Sequence, residues 1–285
     1  MPRSRPPAVA GLFYEGNPQA LSRTVAGLLA ASRPAAGALA ASSWRALLLP
    51  HAGYAYSGAV AAAGFGAVLW PRTVLLLGPN HTGRGRPVAL SPDEAWETPL
   101  GPVAASRRLA ALLVREAPEV EPDSRAHEAE HSIEVMLPFL QAVRPDAQVA
   151  CLCVAEPRLS VLRSLGRAVA RAVAGFEEET GERVAVVVSS DMSHFLPREE
   201  NGERDRRALE ALLSGDPEEL YGRVVVREKI SMCGVLPATV LLEALRHLSP
   251  VDGTLLRHSD SADAGGDSRR VVGYAAVLWT ERTPS

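Results

Sequence analysis

Three near-continuous apolar runs, each ending in a histidine, constrain this chain more than any other feature. Leu47-Leu48-Leu49 leads to Pro50-His51, and Val74-Leu75-Leu76-Leu77 leads to Gly78-Pro79-Asn80-His81. Val184 to Val188 leads to Ser189-Ser190-Asp191-Met192-Ser193-His194. A strand that is apolar along its whole length, without alternation, is covered on both faces, as strands of parallel α/β sheets are. The carboxyl ends of such strands share one edge, and ligands bind there. The three histidines are therefore expected to meet at that edge, on one metal ion or one substrate.

The rest of the chain supports that architecture. Its 285 residues, 47% of them hydrophobic, suffice for a substantial core. Asn17-Pro18 reads as an N-cap with proline at the first helical position, opening a helix to about Ser32. Strand Ala46 to Leu49 precedes a loop, Ala52 to Gly58, and an Ala-rich segment to about Val68. Strand Thr73 to Leu77 runs into a Gly- and Pro-rich stretch, His81 to Gly101, long enough to wall a site. A helix is expected around Ala104 to Arg115. Ile133, Met136, Leu137, Leu140 and Val143 form an apolar stripe that predicts another helix from about Ser124, kinked at Pro138. Strand Gln148 to Val154, helix Ser160 to Gly175, strand Val184 to Val188, a charged helix near Glu203 to Leu213, helix Val235 to His247 and strand Val271 to Trp279 follow. Ser259 to Ser268 reads as a mobile loop. With no repeat and no linker, the expectation is one α/β domain over 1–285, with a largely parallel central sheet flanked by helices.

A formal net charge of −3 points away from nucleic-acid and acidic-membrane partners. No apolar run is long enough to span a bilayer, and Met1 to Pro7 is not followed by the apolar stretch of a signal peptide. The three cysteines, Cys151, Cys153 and Cys233, do not make a disulfide framework, and a reducing cytoplasm fits. Cys151 and Cys153 share a strand face and read as small buried hydrophobes.

Several residues carry possible chemistry, each beside an ordinary reading. His51 and His81 are imidazoles at strand ends, either structural or metal ligands. Cys233 precedes the helix near Val235, where helix-end N–H groups would favour a thiolate; otherwise it is a small residue packed at a helix start. Asp191 is either a turn residue or an orienting carboxylate, and His194, three residues on, is a candidate general acid or base. His127-Glu128-Ala129-Glu130-His131 matches H-E-x-x-H, which on a helix would put His127 and His131 on one face with Glu134 beside them. No third ligand for a zinc protease stands in recognisable context. Ser57, Ser189 and Ser190 lie in no G-x-S-x-G elbow, and there is no P-loop or dinucleotide fingerprint.

At this point the chain resembles a known family. Pro50-His51-Ala52-Gly53-Tyr54-Ala55-Tyr56-Ser57-Gly58, Gly78-Pro79-Asn80-His81-Thr82-Gly83, Trp96-Glu97-Thr98-Pro99-Leu100-Gly101, Glu130-His131-Ser132-Ile133-Glu134, Ser190-Asp191-Met192-Ser193-His194 and Val271-Val272-Gly273-Tyr274-Ala275-Ala276 are similar to the Memo family, also called AmmeMemoRadiSam system protein B. The resemblance implies a fold like the class III extradiol dioxygenases, which hold Fe(II) with two histidines and a glutamate. Carried onto this sequence, it implies His51, His81 and Cys233 as metal ligands and His194 with Asp191 as the acid/base pair. It also implies a substrate pocket lined by His131, Tyr54 and Asn80. A cysteine in place of the carboxylate makes Cu or Zn credible beside Fe(II). The expected function is a metal-dependent, dioxygenase-like oxidoreductase acting on a small, phenolic molecule. The rivals are a metal- and peptide-binding module and a metal-dependent hydrolase. The family name further implies partner proteins, among them a radical S-adenosylmethionine protein.

Overall fold

The computed structural model describes residues 3–32, 34 and 37–282. The ends of the expected 1–285 domain, and Met1 and Pro2 of the stretch read for a leader, lie outside the described residues. The strands are β1 (Ser4–Arg5), β2 (Trp44–Leu49), β3 (Thr73–Pro79), β4 (Val88–Leu90), β5 (Ala95–Thr98), β6 (Gly101–Ala105), β7 (Glu121–Pro122), β8 (Gln148–Val154), β9 (Val184–Ser189), β10 (His194–Leu196), β11 (Val251–Asp260) and β12 (Val271–Glu281). The α-helices are α1 (Pro18–Ala31), α2 (Tyr54–Gly66), α3 (Arg107–Glu116), α4 (Leu137–Val143), α5 (Leu159–Thr180), α6 (Arg198–Leu213), α7 (Pro217–Tyr221) and α8 (Val235–Leu248).

Among the described residues one sheet runs β1-β5-β6-β8-β3-β9-β2-β12-β10, with β11 on β12 and β4 on β8. Its centre, β8-β3-β9-β2, is parallel, whereas β12 is antiparallel to both β2 and β11. The central strands are buried at nearly every position, because side chains alternate between two helix-covered faces. Leu48, Leu75, Leu77, Leu152 and Val186 pack with Leu165, Val169 and Val240 of α5 and α8. Leu47, Leu49, Val74, Leu76 and Val187 pack with Leu21, Phe65 and Phe139 of α1, α2 and α4. Each leucine buried this way contributes about 1.5–3 kcal/mol relative to exposure. Cys151 and Cys153 share the second face, both buried and both free thiols.

Register then fixes the site. β9 lies between β2 and β3, with Leu49 beside Ser189 and Leu77 beside Val188. The segments leaving these three strands therefore start side by side. No described helix is long and apolar enough to cross a membrane.

Five local expectations change. The loop expected over Ala52 to Gly58 becomes helix from Tyr54 onward, the first turns of α2. The helix expected from Ser124 is instead a 3-10 turn at Ser124–Ala126, bends over 127–133, a second 3-10 turn at Glu134–Met136, and then α4. Pro138 sits in the first turn of α4, where its missing N–H costs nothing, so it opens the helix and does not kink it. The stretch after His81 carries β4 and β5. The last two residues of β11 and the 3-10 turn Ser261–Ala264 occupy the first part of the segment read as a loop over Ser259 to Ser268, and residues 265–268 carry no helix or strand. None of the residues of β11 is fully buried, so it has no apolar run to announce it.

Candidate metal centre

His51, His81 and His131 each present a ring nitrogen such that all three donors lie within 4.8 Å of one another. His51 forms the floor and is almost fully buried, while the His81 and His131 side chains are 33% and 22% exposed at the mouth. The His81 and His131 rings stack at 4.7 Å, and His51 meets both edge-on. Gly78 makes this approach possible: a Cβ there would fall 2.6 Å from Ser132 Oγ and 2.8 Å from Ile133. The turn carrying His131 thus closes directly on the end of β3.

Hydrogen bonds set which nitrogens are free. Ser189 Oγ donates to the Ser132 carbonyl, so it accepts from His51 Nδ1–H at 2.6 Å. Glu130 Oε1 accepts from His81 Nδ1–H at 2.8 Å. Both rings are held as the tautomer with its lone pair on Nε2, the arrangement in which a second partner orients a metal-binding histidine. His127 is different. Its Nε2–H donates to the Ala89 carbonyl, its Nδ1 faces the Cys153 thiol at 3.5 Å, and it is fully buried. Both nitrogens are spent, and the residue lies in a bend, so the H-E-x-x-H match is not a metal-binding helix.

Glu130 is the site residue that sequence reasoning undervalued. It is 1% exposed, and its carboxylate also accepts the N–H groups of His81, His131 and Ser132. Burial opposes its ionisation, but the His81 contact and these N–H donors win and hold its pKa down at about 2. Burial likewise opposes charge on His81, yet Glu130 more than offsets it and raises the His81 pKa. Burial and the neighbouring imidazoles lower that of His51. The sequence signals of Glu130 are its place inside the apparent H-E-x-x-H match and in the Glu130-His131-Ser132-Ile133-Glu134 block. Glu130→Gln is expected to weaken metal binding about 10–100-fold, the usual cost of losing such an orienting partner. Because the folded carboxyl is depressed, its stabilisation is complete above its unfolded pKa and lost as pH falls toward 2. The variant should lose that acid-side slope in metal-free denaturation curves.

The thiol of Cys233 lies just before α8, with Sγ 3.4 Å from His51 Nε2. Sulfur and nitrogen ligands at about 2.3 and 2.0–2.1 Å from one tetrahedral ion would stand roughly 3.6 Å apart. His51 Nε2 and Cys233 Sγ are therefore spaced for one shared ion, whereas the three-donor group among the described residues is His51, His81 and His131, without Cys233. The Asp191 N–H pointing at Sγ, at 3.2 Å, suits a thiolate. The expected lowering of the thiol pKa is overturned for the metal-free protein: burial, then the Asp191 charge, push it up. Helix-end N–H groups do not outweigh that burial.

Asp191 Oδ1 accepts the N–H groups of His51 and Ala52, fixing the chain beneath the site. Burial pushes its carboxyl upward against that pull. His194 is half-buried, and Ser231 accepts from its Nδ1–H through the carbonyl at 2.9 Å. Nε2 is thereby left as the ring's proton acceptor. Tyr54 opens α2, and its hydroxyl donates to the Val135 carbonyl. It lines a cavity of about 480 Å³ with Phe13 and Tyr14, and Phe13 in turn packs on His131 at 4.7 Å. Asn80 caps its own turn, accepting from Thr82 and Gly83 and donating to the Arg84 carbonyl.

The fold and site define an α/β protein with a histidine-rich, metal-capable centre at the carboxyl edge of a largely parallel sheet. A family model described as Memo-like protein matches residues 5–278, and the chain belongs to the Memo family. A MEMO1 family protein of Pyrobaculum aerophilum is 37% identical over 97% of this chain and 99% of its own length. Those of Methanopyrus kandleri and Aquifex aeolicus are 35% and 37% identical, again over almost the whole of both chains. The crystal structure of an uncharacterized protein from Escherichia coli K12 shares the fold, with a TM-score of 0.56 at 16% identity. That match covers 82% of this chain and 99% of that one.

Proposed function

We propose that the protein is a metal-dependent oxidoreductase of dioxygenase type, holding one Fe(II) ion through His51, His81 and Cys233. The observation that carries the reading is the convergence of His51 Nε2 with the Cys233 thiol and the His81 and His131 imidazoles at one sheet edge. The two acceptors, Ser189 and Glu130, support it, because they take the Nδ1 hydrogens and leave both Nε2 lone pairs free for an ion, unlike His127, whose two nitrogens are both engaged. An iron ion bound there would supply a centre for O2 and polarise a substrate hydroxyl.

The chain's own residues do the rest. His194 takes the hydroxyl proton on Nε2, and the Ser231 carbonyl stabilises the imidazolium through Nδ1–H. Asp191 holds the His51 backbone in place. His131, backed by Phe13, lines the mouth against the ring of a phenolic substrate.

The test is anaerobic loading with Fe(II), and separately with Cu and Zn, followed by O2 uptake over a panel of phenols. Uptake with Fe(II) alone is expected. Cys233→Ser should bind the metal at least about tenfold more weakly, as a thiolate gives way to a poorer ligand. If Cys233→Ser binds as tightly as the parent and His131→Ala does not, the centre is a three-histidine one. Metal binding without turnover of any phenol would make the site a binding module.

A further inference from the structure

The segment that delivers His194 is strained and is held from behind. Phe195, directly after it, adopts φ of 63°, a left-handed conformation that bulky residues rarely tolerate. Its ring is 61% exposed, so burial does not compensate the strain. A residue in such a conformation persists only where its surroundings over-determine it. The Ser193 N–H donates to Asp205 Oδ1 at 2.7 Å, and Asp205, on α6, is fully buried. Asp205 Oδ2 accepts from His258 Nε2–H of β11 at 2.9 Å and, at 3.3 Å, from Asn201. On the other side, Gly273 of β12 donates to the Ser193 carbonyl and accepts from Met192 N–H. Gly273 has no room for a side chain: a Cβ would stand 1.8 Å from Asp205 Oδ2. The carboxylate is thus pressed against bare backbone where it takes the Ser193 N–H, one residue before His194, whose own N–H donates to Ser231 Oγ.

We infer that Asp205, supported by His258 and admitted by Gly273, is a positioning residue that holds His194 in its working orientation. It touches neither substrate nor any candidate metal ligand. This rests on His194 being the proton-transfer group proposed above, and predicts a loss confined to what His194 does. A misplacement of about 1 Å costs roughly 100-fold in rate.

The experiment uses full-length Zn-loaded protein, ¹⁵N-labelled at histidine, with O2 uptake measured in parallel on the Fe(II)-loaded form. The parent should show His194 as a single Nδ1–H tautomer. Asp205→Ala should bring its ring signals to a mobile tautomer average and cut O2 uptake about 100-fold, with metal stoichiometry unchanged. Gly273→Ala, which drives a methyl into the same carboxylate, should repeat the effect, and His258→Gln should give a smaller one. Should Asp205→Ala fail to fold, Asp205→Asn and His258→Gln decide the matter by the same signals. Folded variants whose His194 signals match the parent overturn the inference. If the signals move but the parent consumes no O2, the brace stands and the oxidoreductase reading falls.

Discussion

Replacing Arg5 with alanine is expected to destabilise the protein by about 3–5 kcal/mol, the usual cost of breaking one side of a buried ion pair. Arg5 is 2% exposed and bonds Glu134 at 2.7 Å, the His127 carbonyl and the Glu130 carbonyl. Its guanidinium also covers the Trp96 ring at 4.3 Å. Glu134 in turn accepts from Tyr14 and from the N–H groups of Ala8 and Val9. One cation therefore ties the N-terminal arm to the turn that presents Glu130 and His131. Urea denaturation of the metal-free variant measures the loss, and a change below about 1 kcal/mol, the scale of an exposed pair, would contradict this account. The metal centre should loosen with it, because the carbonyl of Glu130 loses its anchor.

The second large effect is at His51. His51→Ala is expected to abolish stoichiometric metal binding, measured by elemental analysis after anaerobic loading. His51 belongs to both possible donor sets, the three imidazoles and the pair of imidazoles with Cys233. It is also the most buried donor, so no water-exposed side chain can take its place. Retention of one metal per chain by this variant would remove the centre from the sheet edge altogether.

The strand ends were legible because burial on both faces leaves a plain signature, an unbroken apolar run, and register brings such runs to one edge. His51, His81 and His194 could be found that way. The partners that give them their chemistry could not. Glu130 reaches His81 across 49 residues of chain, and Asp205 reaches Ser193 from the buried face of a charged helix. Neither spacing has a period to detect. The apolar stripe ending at Val143 was real, but helical spacing carried back to His127 suggested a motif helix where the chain bends. Arg5 gave no signal, since a lone arginine near the start of a chain usually reaches solvent.

The fixed tautomers of the centre have a consequence for how it would fill. Ser189 and Glu130 already hold the Nδ1 hydrogens of His51 and His81. At a pH where the imidazoles are neutral, both can accept a cation without giving up a hydrogen ion. Cys233 cannot, because its thiol stays protonated until something displaces that proton. Acid released into weakly buffered solution per ion captured therefore counts sulfur ligands directly: one equivalent for a thiolate centre, none for imidazole alone.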